Sequence, residues 1–208
     1  MNQKQITEAY DAAAGKYAER CFDELSYKPL DRLLLDRFAQ DTAMGKILDI
    51  GCGPGETTEY LYKRGAAVTG VDISRGMIRE AKRLNPDIRF ETGDMFHLEE
   101  AYSGISGICA FYAIVNFQYR DMTAVFHQFY RVLKPGGLLF LAFHVEEKII
   151  QTDDFFESGK PLDFYYFDES RIIAMLMESG FGITEALVRL PYKEEYPSKR
   201  AYIFAERY

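Results

Sequence analysis

Tryptophan is absent from this chain of 208 residues, cysteine occurs only three times, and no apolar run approaches the roughly 20 residues that span a bilayer. The missing apolar span argues against membrane insertion. The opening stretch MNQKQITEAYDAAAGKYAER is polar and helical rather than signal-like, so a cytoplasmic protein is expected. Cys21, Cys52 and Cys109 have no paired spacing, which removes a cysteine-based metal site; reduced thiols and no metal are expected. Positive charge is short as well. Lysine plus arginine number 25 against 32 for aspartate plus glutamate, a net charge of −7, so the chain lacks the cationic footprint that grips a phosphate backbone and no nucleic-acid partner is expected. Low-complexity tracts, glycine-serine linkers and internal repeats are also missing, so residues 1–208 read as a single domain.

What is present is a core-forming composition, 48% hydrophobic, arranged in two alternating periods. Ile6, Tyr10, Ala13, Ala14 and Tyr17 recur at helical spacing, and Leu30, Leu33, Leu34 and Phe38 form a second stripe after Pro29. Short apolar, β-rich runs then begin to alternate with amphipathic ones. Strands are predicted at 46–50, 67–71, 88–92, 107–110 and 138–144, with helices at 56–64, 75–84 and 122–133. The pattern loosens after His144, a further helix ends before Gly180, and two strand-like runs at 183–190 and 200–206 suggest an antiparallel hairpin at one edge of the sheet. Interleaved strands and helices indicate an α/β protein with a mostly parallel, doubly wound sheet covered by helices on both faces.

The stretch KILDIGCGPGETTEYLYKRGAAVTGVDIS, residues 46–74, carries the chemistry. Gly51, Gly53 and Gly55 occupy the turn after the first strand, where an open α/β sheet binds its ligand and where missing side chains let that ligand lie against the main chain. Asp72 ends the second strand 21 residues after Gly51, the offset at which an acid reaches ribose hydroxyls, so a nucleoside ligand is expected. Two ligand classes fit. A dinucleotide site spaces its glycines Gly-x-Gly-x-x-Gly and seats a pyrophosphate at the helix N-terminus; here the spacing is Gly-x-Gly-x-Gly and Glu56 follows, which would repel that pyrophosphate. The negative charge favours a ligand with a cationic centre.

The segments ILDIGCGPG, VTGVDIS, FETGDM and RVLKPGGLLFLAFH, in that order over nearly half the chain, resemble the motifs of class I S-adenosylmethionine-dependent methyltransferases of the small-molecule type. The resemblance implies a seven-stranded Rossmann-like sheet with the last strand antiparallel and S-adenosylmethionine as cofactor, leaving S-adenosylhomocysteine as product. It places Asp49 and Gly51 near the methionine moiety, Gly53 near the ribose, and Asp72 on the ribose hydroxyls. Ile73 and Met77 would pack on the adenine, although both also suit an ordinary helix face. Asp94 would accept from the adenine amino group with Met95 beside the ring. The first helix, with Tyr10 and Tyr17, is similar to the lid of related enzymes, in which an aromatic hydroxyl reaches the methionine carboxylate; a plain amphipathic cover fits the same residues. On this reading 1–42 form a helical lid, 43–145 the donor-binding core, and 146–208 an acceptor-side insertion and C-terminal hairpin.

The run AFYAIVNFQYRD after the fourth strand, with Phe111 and Tyr112, faces donor and substrate in similar enzymes and lacks the Asn-Pro-Pro-Tyr motif of nucleic-acid amino-methyltransferases. A small-molecule acceptor is therefore expected, methylated on oxygen or nitrogen. A hydroxyl or protonated amine acceptor needs a base. His144 ends the fifth strand on the ligand side, and both it and Tyr112 are candidates, with strand-end packing as the competing role; His97 and His127 suit a loop and a helix surface. Arg20 and Lys28 offer positive charge for the methionine carboxylate or an acidic acceptor, and the aromatics 164–167 suit both core and pocket. Two other readings stay open: a nicotinamide-dependent oxidoreductase and a non-catalytic donor-binding module.

Overall fold

The chain is described by a computed structural model covering residues 2–208. Each helix starts where its first residues say it should. Helix α1 (Gln3–Cys21) opens on a capping box in which the Asn2 side chain accepts from the Gln5 backbone N–H and the Gln5 side chain accepts from that of Asn2. Helix α2 (Pro29–Asp41) begins on proline, which has no amide hydrogen to leave unpaired. The alternating region follows as β1 (Lys46–Ile50), α3 (Glu56–Tyr62), β2 (Ala67–Asp72), α4 (Arg75–Leu84), β3 (Arg89–Thr92), β4 (Ile105–Phe111), α5 (Tyr119–Val132) and β5 (Leu133–Val145). The last third contains β6 (Lys148–Thr152), β7 (Leu162–Tyr166), α6 (Glu169–Glu178), β8 (Phe181–Arg189) and β9 (Lys199–Arg207).

Seven strands form one sheet in the order β3-β2-β1-β4-β5-β9-β8. Pairing is parallel from β3 through β5 and antiparallel for β5 with β9 and β9 with β8, so the expected C-terminal hairpin is present and its last strand lies between β5 and the edge. Strand order reverses between β1 and β4, and the crevice at their carboxyl ends is where such a sheet binds ligands. Period-2 alternation distributes the core. Leu139, Leu141 and Phe143 face one layer with Phe126 and Phe129 of α5, while Phe140 and Ala142 face the other with Leu35 and Phe38 of α2 and Leu61 of α3. β4 is buried along its first six residues, the signature of a strand covered on both faces.

Three expectations shift. β5 runs from Leu133, five residues earlier than its apolar pattern, because Leu133 already pairs with Ile105 of β4; the Lys-Pro-Gly-Gly stretch bulges out before pairing resumes at Leu138. α5 starts at Tyr119 rather than Met122 because Gln118 and Asp121 form a capping box there. The loosely patterned region after His144 holds a second, two-stranded antiparallel sheet of β6 and β7, docked to the body through Tyr165 N–H donating to the Val115 carbonyl at 2.6 Å. Of the 1–42 segment expected as a lid, α1 and the turn at 24–28 line the crevice, whereas α2 packs on the other face of the sheet through Leu34, Leu35 and Phe38.

α1 is anchored to α4. Asp11 Oδ1 accepts from Ser74 Oγ at 2.6 Å and from Gly76 N–H at 2.7 Å, a carboxylate set against the helix N-terminus where the peptide dipoles favour it. A Cβ on Gly76 would lie 2.8 Å from the Asp11 carbonyl oxygen and 2.9 Å from its Cα, backbone atoms that cannot swing aside. Gly76→Ala is expected to destabilise the protein by about 1–3 kcal/mol through overpacking and to speed proteolysis within α1. Urea unfolding with limited proteolysis checks it; an unchanged midpoint and cleavage pattern would show that α1 is not held by this contact.

Candidate active site

The crevice contains two adjoining hollows, of about 470 Å³ and about 100 Å³, which share Tyr10, Tyr17, Gly51, Gly53, Phe111 and Tyr112 in their walls. The glycine turn shapes the junction. Gly51 adopts φ +68°, and a Cβ there would come within 2.6 Å of Ala113 Cβ, so both conformation and packing demand glycine. Its N–H donates to the Val71 carbonyl at 2.8 Å, which ties the turn to β2. Gly53, at φ +52°, has nothing within 4 Å of the place a Cβ would take. That open space is the cradle a sugar needs, and the Asp72 carboxylate borders it: Oδ2 accepts from Gly53 N–H at 2.9 Å and Oδ1 from Ser74 N–H at 2.8 Å. Each oxygen keeps acceptor capacity beyond its one backbone bond.

The smaller hollow gathers the residues expected around the adenosine. Asp72, Ile73, Met77, Asp94, Met95 and Phe111 all line it. Met77 is fully buried, so it serves the helix face and the hollow together. Asp94 is held by Phe96 N–H at 2.9 Å and lies 3.1 Å from His97 Nδ1. His97 is exposed on its loop and His127 on α5.

The larger hollow receives Tyr17, Asp49, Tyr112 and His144. Three carboxylates stand near the glycine turn, and burial raises each: Asp72 to about 6, Asp49 to about 7 and Glu56 to about 8. Thr58 Oγ1 donates to Asp49 at 2.6 Å and Leu25 N–H to Glu56 at 2.6 Å, which offsets part of that cost. A largely enclosed group of acids whose one cationic neighbour is Lys28, beside Glu56, matches a ligand that carries its own positive charge. These residues fit S-adenosylmethionine.

The other end of the larger hollow is aromatic and cationic. His144 stacks on Tyr166 with ring centres 4.7 Å apart, lies 5.0 Å from the Tyr112 ring, and shares a 2.8 Å hydrogen bond between Nδ1 and Ser198 Oγ. Burial pushes His144 down to about 3, with Arg200 and Lys28 adding to the effect, so its imidazole is neutral and weakly basic. Burial raises the Tyr112 phenol, and Tyr112 holds φ 56°, a left-handed conformation costly for a residue with a side chain. Lys28 and Arg200 line this end and are 7% and 3% exposed. Arg20, by contrast, is committed to Glu157 at 2.5 Å outside the hollow.

Several site residues escape sequence reasoning. Arg200 faces the hollow because β9 pairs antiparallel with β5 in a register that sets it beside His144. Asn116 accepts from Tyr10 Oη at 2.8 Å and donates to the Asp163 carbonyl at 2.8 Å, linking α1 to β7. Phe155 and Phe156 close the wall against Tyr10 and Tyr17, with ring centres 5.0 Å apart in the nearest pairs.

A doubly wound sheet with a glycine bend at its switch point and an acid one strand over defines a nucleoside-binding α/β protein. The comparisons narrow that class. A family model described as a methyltransferase domain matches residues 47–137. Trans-aconitate 2-methyltransferase of Rhizobium meliloti is 32% identical over 130 residues, 61% of this chain and 48% of the relative. YqeM of Bacillus subtilis, a methyltransferase by name, is 30% identical over 178 residues, 80% of this chain and 67% of the relative. Among solved structures, magnesium protoporphyrin IX methyltransferase (ChlM) from Synechocystis with bound S-adenosylmethionine superposes with TM-score 0.72 at 18% identity, covering 100% of this chain and 98% of that one. The chain belongs to the class I S-adenosylmethionine-dependent methyltransferase family, whose cofactor is S-adenosylmethionine. It spans about half the length of the trans-aconitate and malonyl-[acyl-carrier protein] methyltransferases it matches.

Removing the Asp72 carboxylate deletes charge-assisted hydrogen bonds worth about 1.5–3 kcal/mol each. Asp72→Ala should therefore weaken S-adenosylhomocysteine binding at least about tenfold in calorimetry, and unchanged affinity would remove Asp72 from the site. In the ligand-free protein, Asp72, Asp49 and Glu56 have folded pKa values above their unfolded ones. Their contribution is complete below the unfolded carboxylate range and is lost as pH rises toward about 8, whereas His144, depressed in the fold, contributes the opposite way below its unfolded value. Three carboxylates outweigh one imidazole, so the ligand-free melting temperature should be higher at pH 6 than at pH 8; the reverse order would contradict the assignment.

Proposed function

We propose that this protein transfers a methyl group from S-adenosylmethionine to an oxygen or nitrogen of a small molecule. The observation that carries the reading is the open cradle over Gly53 bordered by Asp72, opening directly into an aromatic cavity of about 470 Å³. When bound, the donor supplies a methyl group already activated on a sulfonium. Held by Gly51, Gly53 and Asp72, it would present that methyl group toward an acceptor in the larger hollow.

The chain's own residues do the positioning. Gly51, Gly53 and Asp72 hold the nucleoside, Asp49 and Glu56 set acids beside the cationic end, whose positive charge favours their ionised forms, and Tyr17 and Phe111 line both hollows. α1 and the Phe155–Phe156 segment exclude water, clamped by Lys16 and Arg20 on Glu157 at 2.7 Å and 2.5 Å. His144 and Tyr112 stand at the acceptor end. With its weak basicity and its ring stacked on Tyr166, His144 orients the acceptor rather than storing its proton. Glu56 at the start of α3 leaves no seat for the pyrophosphate that the oxidoreductase reading needs.

Ligand binding raises stability by mass action, by about 2.7 kcal/mol at a hundredfold excess over Kd. S-adenosylhomocysteine should raise the melting temperature, NADH and NADPH should not, and labelled donor should mark a product in a metabolite extract. A shift with the nicotinamides alone would overturn the proposal. His144→Ala should bind S-adenosylhomocysteine normally and lose turnover; full turnover would assign His144 to strand-end packing.

A further inference from the structure

The acceptor end of the larger hollow carries a charge pattern that the methyl-transfer reading does not itself require. Three cations, Lys28, Arg189 and Arg200, converge on two carboxylates that are fully enclosed, Asp31 and Glu195. Arg189 takes most of the available pairing: it reaches Asp31 Oδ2 at 2.8 Å and both Glu195 oxygens, at 2.6 Å and 2.8 Å. The other two are left with remainders. Lys28 Nζ is 3.8 Å from Glu195, pairs with Glu24, whose side chain is 35% exposed, lies 5.7 Å from the centre of the Tyr112 ring and acts on Glu56. Arg200 Nε is buried with no hydrogen-bond acceptor; it lies 3.2 Å from Glu195 without bonding geometry, while Nη1 donates to the carbonyls of Tyr196 and Ser198. A guanidinium 3% exposed with an unsatisfied donor is expensive unless something else completes its pairing.

Lys28 and Arg200, unlike Arg189, line the cavity. Around them the wall is aromatic: Tyr112, Phe164, Tyr166 and Tyr196 share the cavity with the stacked His144. The cavity's other acids do not reverse this polarity. Asp49 is turned to Thr58, Glu56 is held by Leu25 N–H and lies within reach of Lys28, and Glu194 is exposed.

Resting on the methyltransferase reading, we infer that the acceptor is an aromatic or similarly flat carboxylic acid, its carboxylate held by Arg200 and Lys28 and its ring against Tyr166, Tyr196 and Tyr112. Arg200 presents a planar fork suited to a carboxylate, and Lys28 adds a second charge that Glu24, at the rim, yields on binding. An acceptor that arrives as an anion also matches a site whose histidine and tyrosine are poor bases. The carboxylate is an anchor, or is itself the methylated group; either use places it at this pair.

The test uses benzoate, cinnamate and 2-naphthoate against their carboxamides and the corresponding arylmethylamines, added to the whole protein with and without S-adenosylhomocysteine and read by calorimetry and thermal shift. Acids are expected to bind at least tenfold more tightly than the matched amides in wild type. Lys28→Met should cut that preference at least tenfold and Lys28→Arg should restore most of it. Arg200→Gln should abolish the preference; since Arg200 is in the core, the Lys28 pair decides if that variant fails to fold. Equal binding of acids and amides, or a preference for the amines, overturns this inference while leaving methyl transfer intact. Failure of S-adenosylhomocysteine to bind overturns the underlying reading instead, and the probes added alone still report on acid preference.

Discussion

The site depends on one carboxylate that sits where four pieces of chain meet. Asp72 ends β2, accepts from Gly53 in the turn after β1 and from Ser74 at the start of α4, and Ser74 in turn donates to Asp11 of α1. The cradle, the helix above it and the covering helix are thus registered against a single acid, at hydrogen-bond distances between 2.6 Å and 2.9 Å. Burial makes that acid reluctant to ionise, and its two backbone donors keep it from being driven further. A ligand that brings hydroxyl donors to it would complete a network already in place, which is how preorganised binding avoids ordering costs at the moment of contact.

The cavity beyond is electrically divided. Asp49, Asp72 and Glu56 stand toward the glycine turn and Arg200 at the far end, while Lys28 lies within reach of both Glu56 and Glu195. Such an arrangement is unfavourable for the protein alone, since isolated buried charges lose hydration without full repayment. It becomes favourable when filled by a cationic donor and an anionic acceptor in their respective halves. The same division brings the reacting groups together with complementary charge, and a low-dielectric aromatic wall strengthens that attraction.

Much of the donor side was legible in the sequence because its determinants are local. The bend from Gly51 to Gly55 and the acid ending the next strand are set by strand-turn-helix chemistry within a short span, and all of the residues expected around the donor line the two hollows. The far end of the larger hollow was legible only in part: His144, Tyr112, Lys28, Phe164 and Tyr166 were expected there, and the rest was hidden for physical reasons. β6 shows only alternating partial burial and pairs with one other short strand, so its apolar signal is faint. Arg200 enters the cavity through an antiparallel register with His144, 56 residues away in sequence, which no local pattern reveals. Arg20 and Lys28 carry the same charge in the sequence, and only the turn of 3₁₀-helix at Glu24–Tyr27, which buries Lys28 in the wall, separates them. Asp11 looks like one polar residue on an amphipathic helix, and only docking on α4 makes it a cap.

The most direct test of the central claim is a crystal structure of the complex with S-adenosylhomocysteine. The account predicts the ribose over Gly53 with its hydroxyls donating to Asp72 at about 2.5–3.0 Å while the Gly53 and Ser74 bonds persist. A nucleoside seated elsewhere, or a ribose turned away from an Asp72 that keeps only its backbone partners, would contradict it.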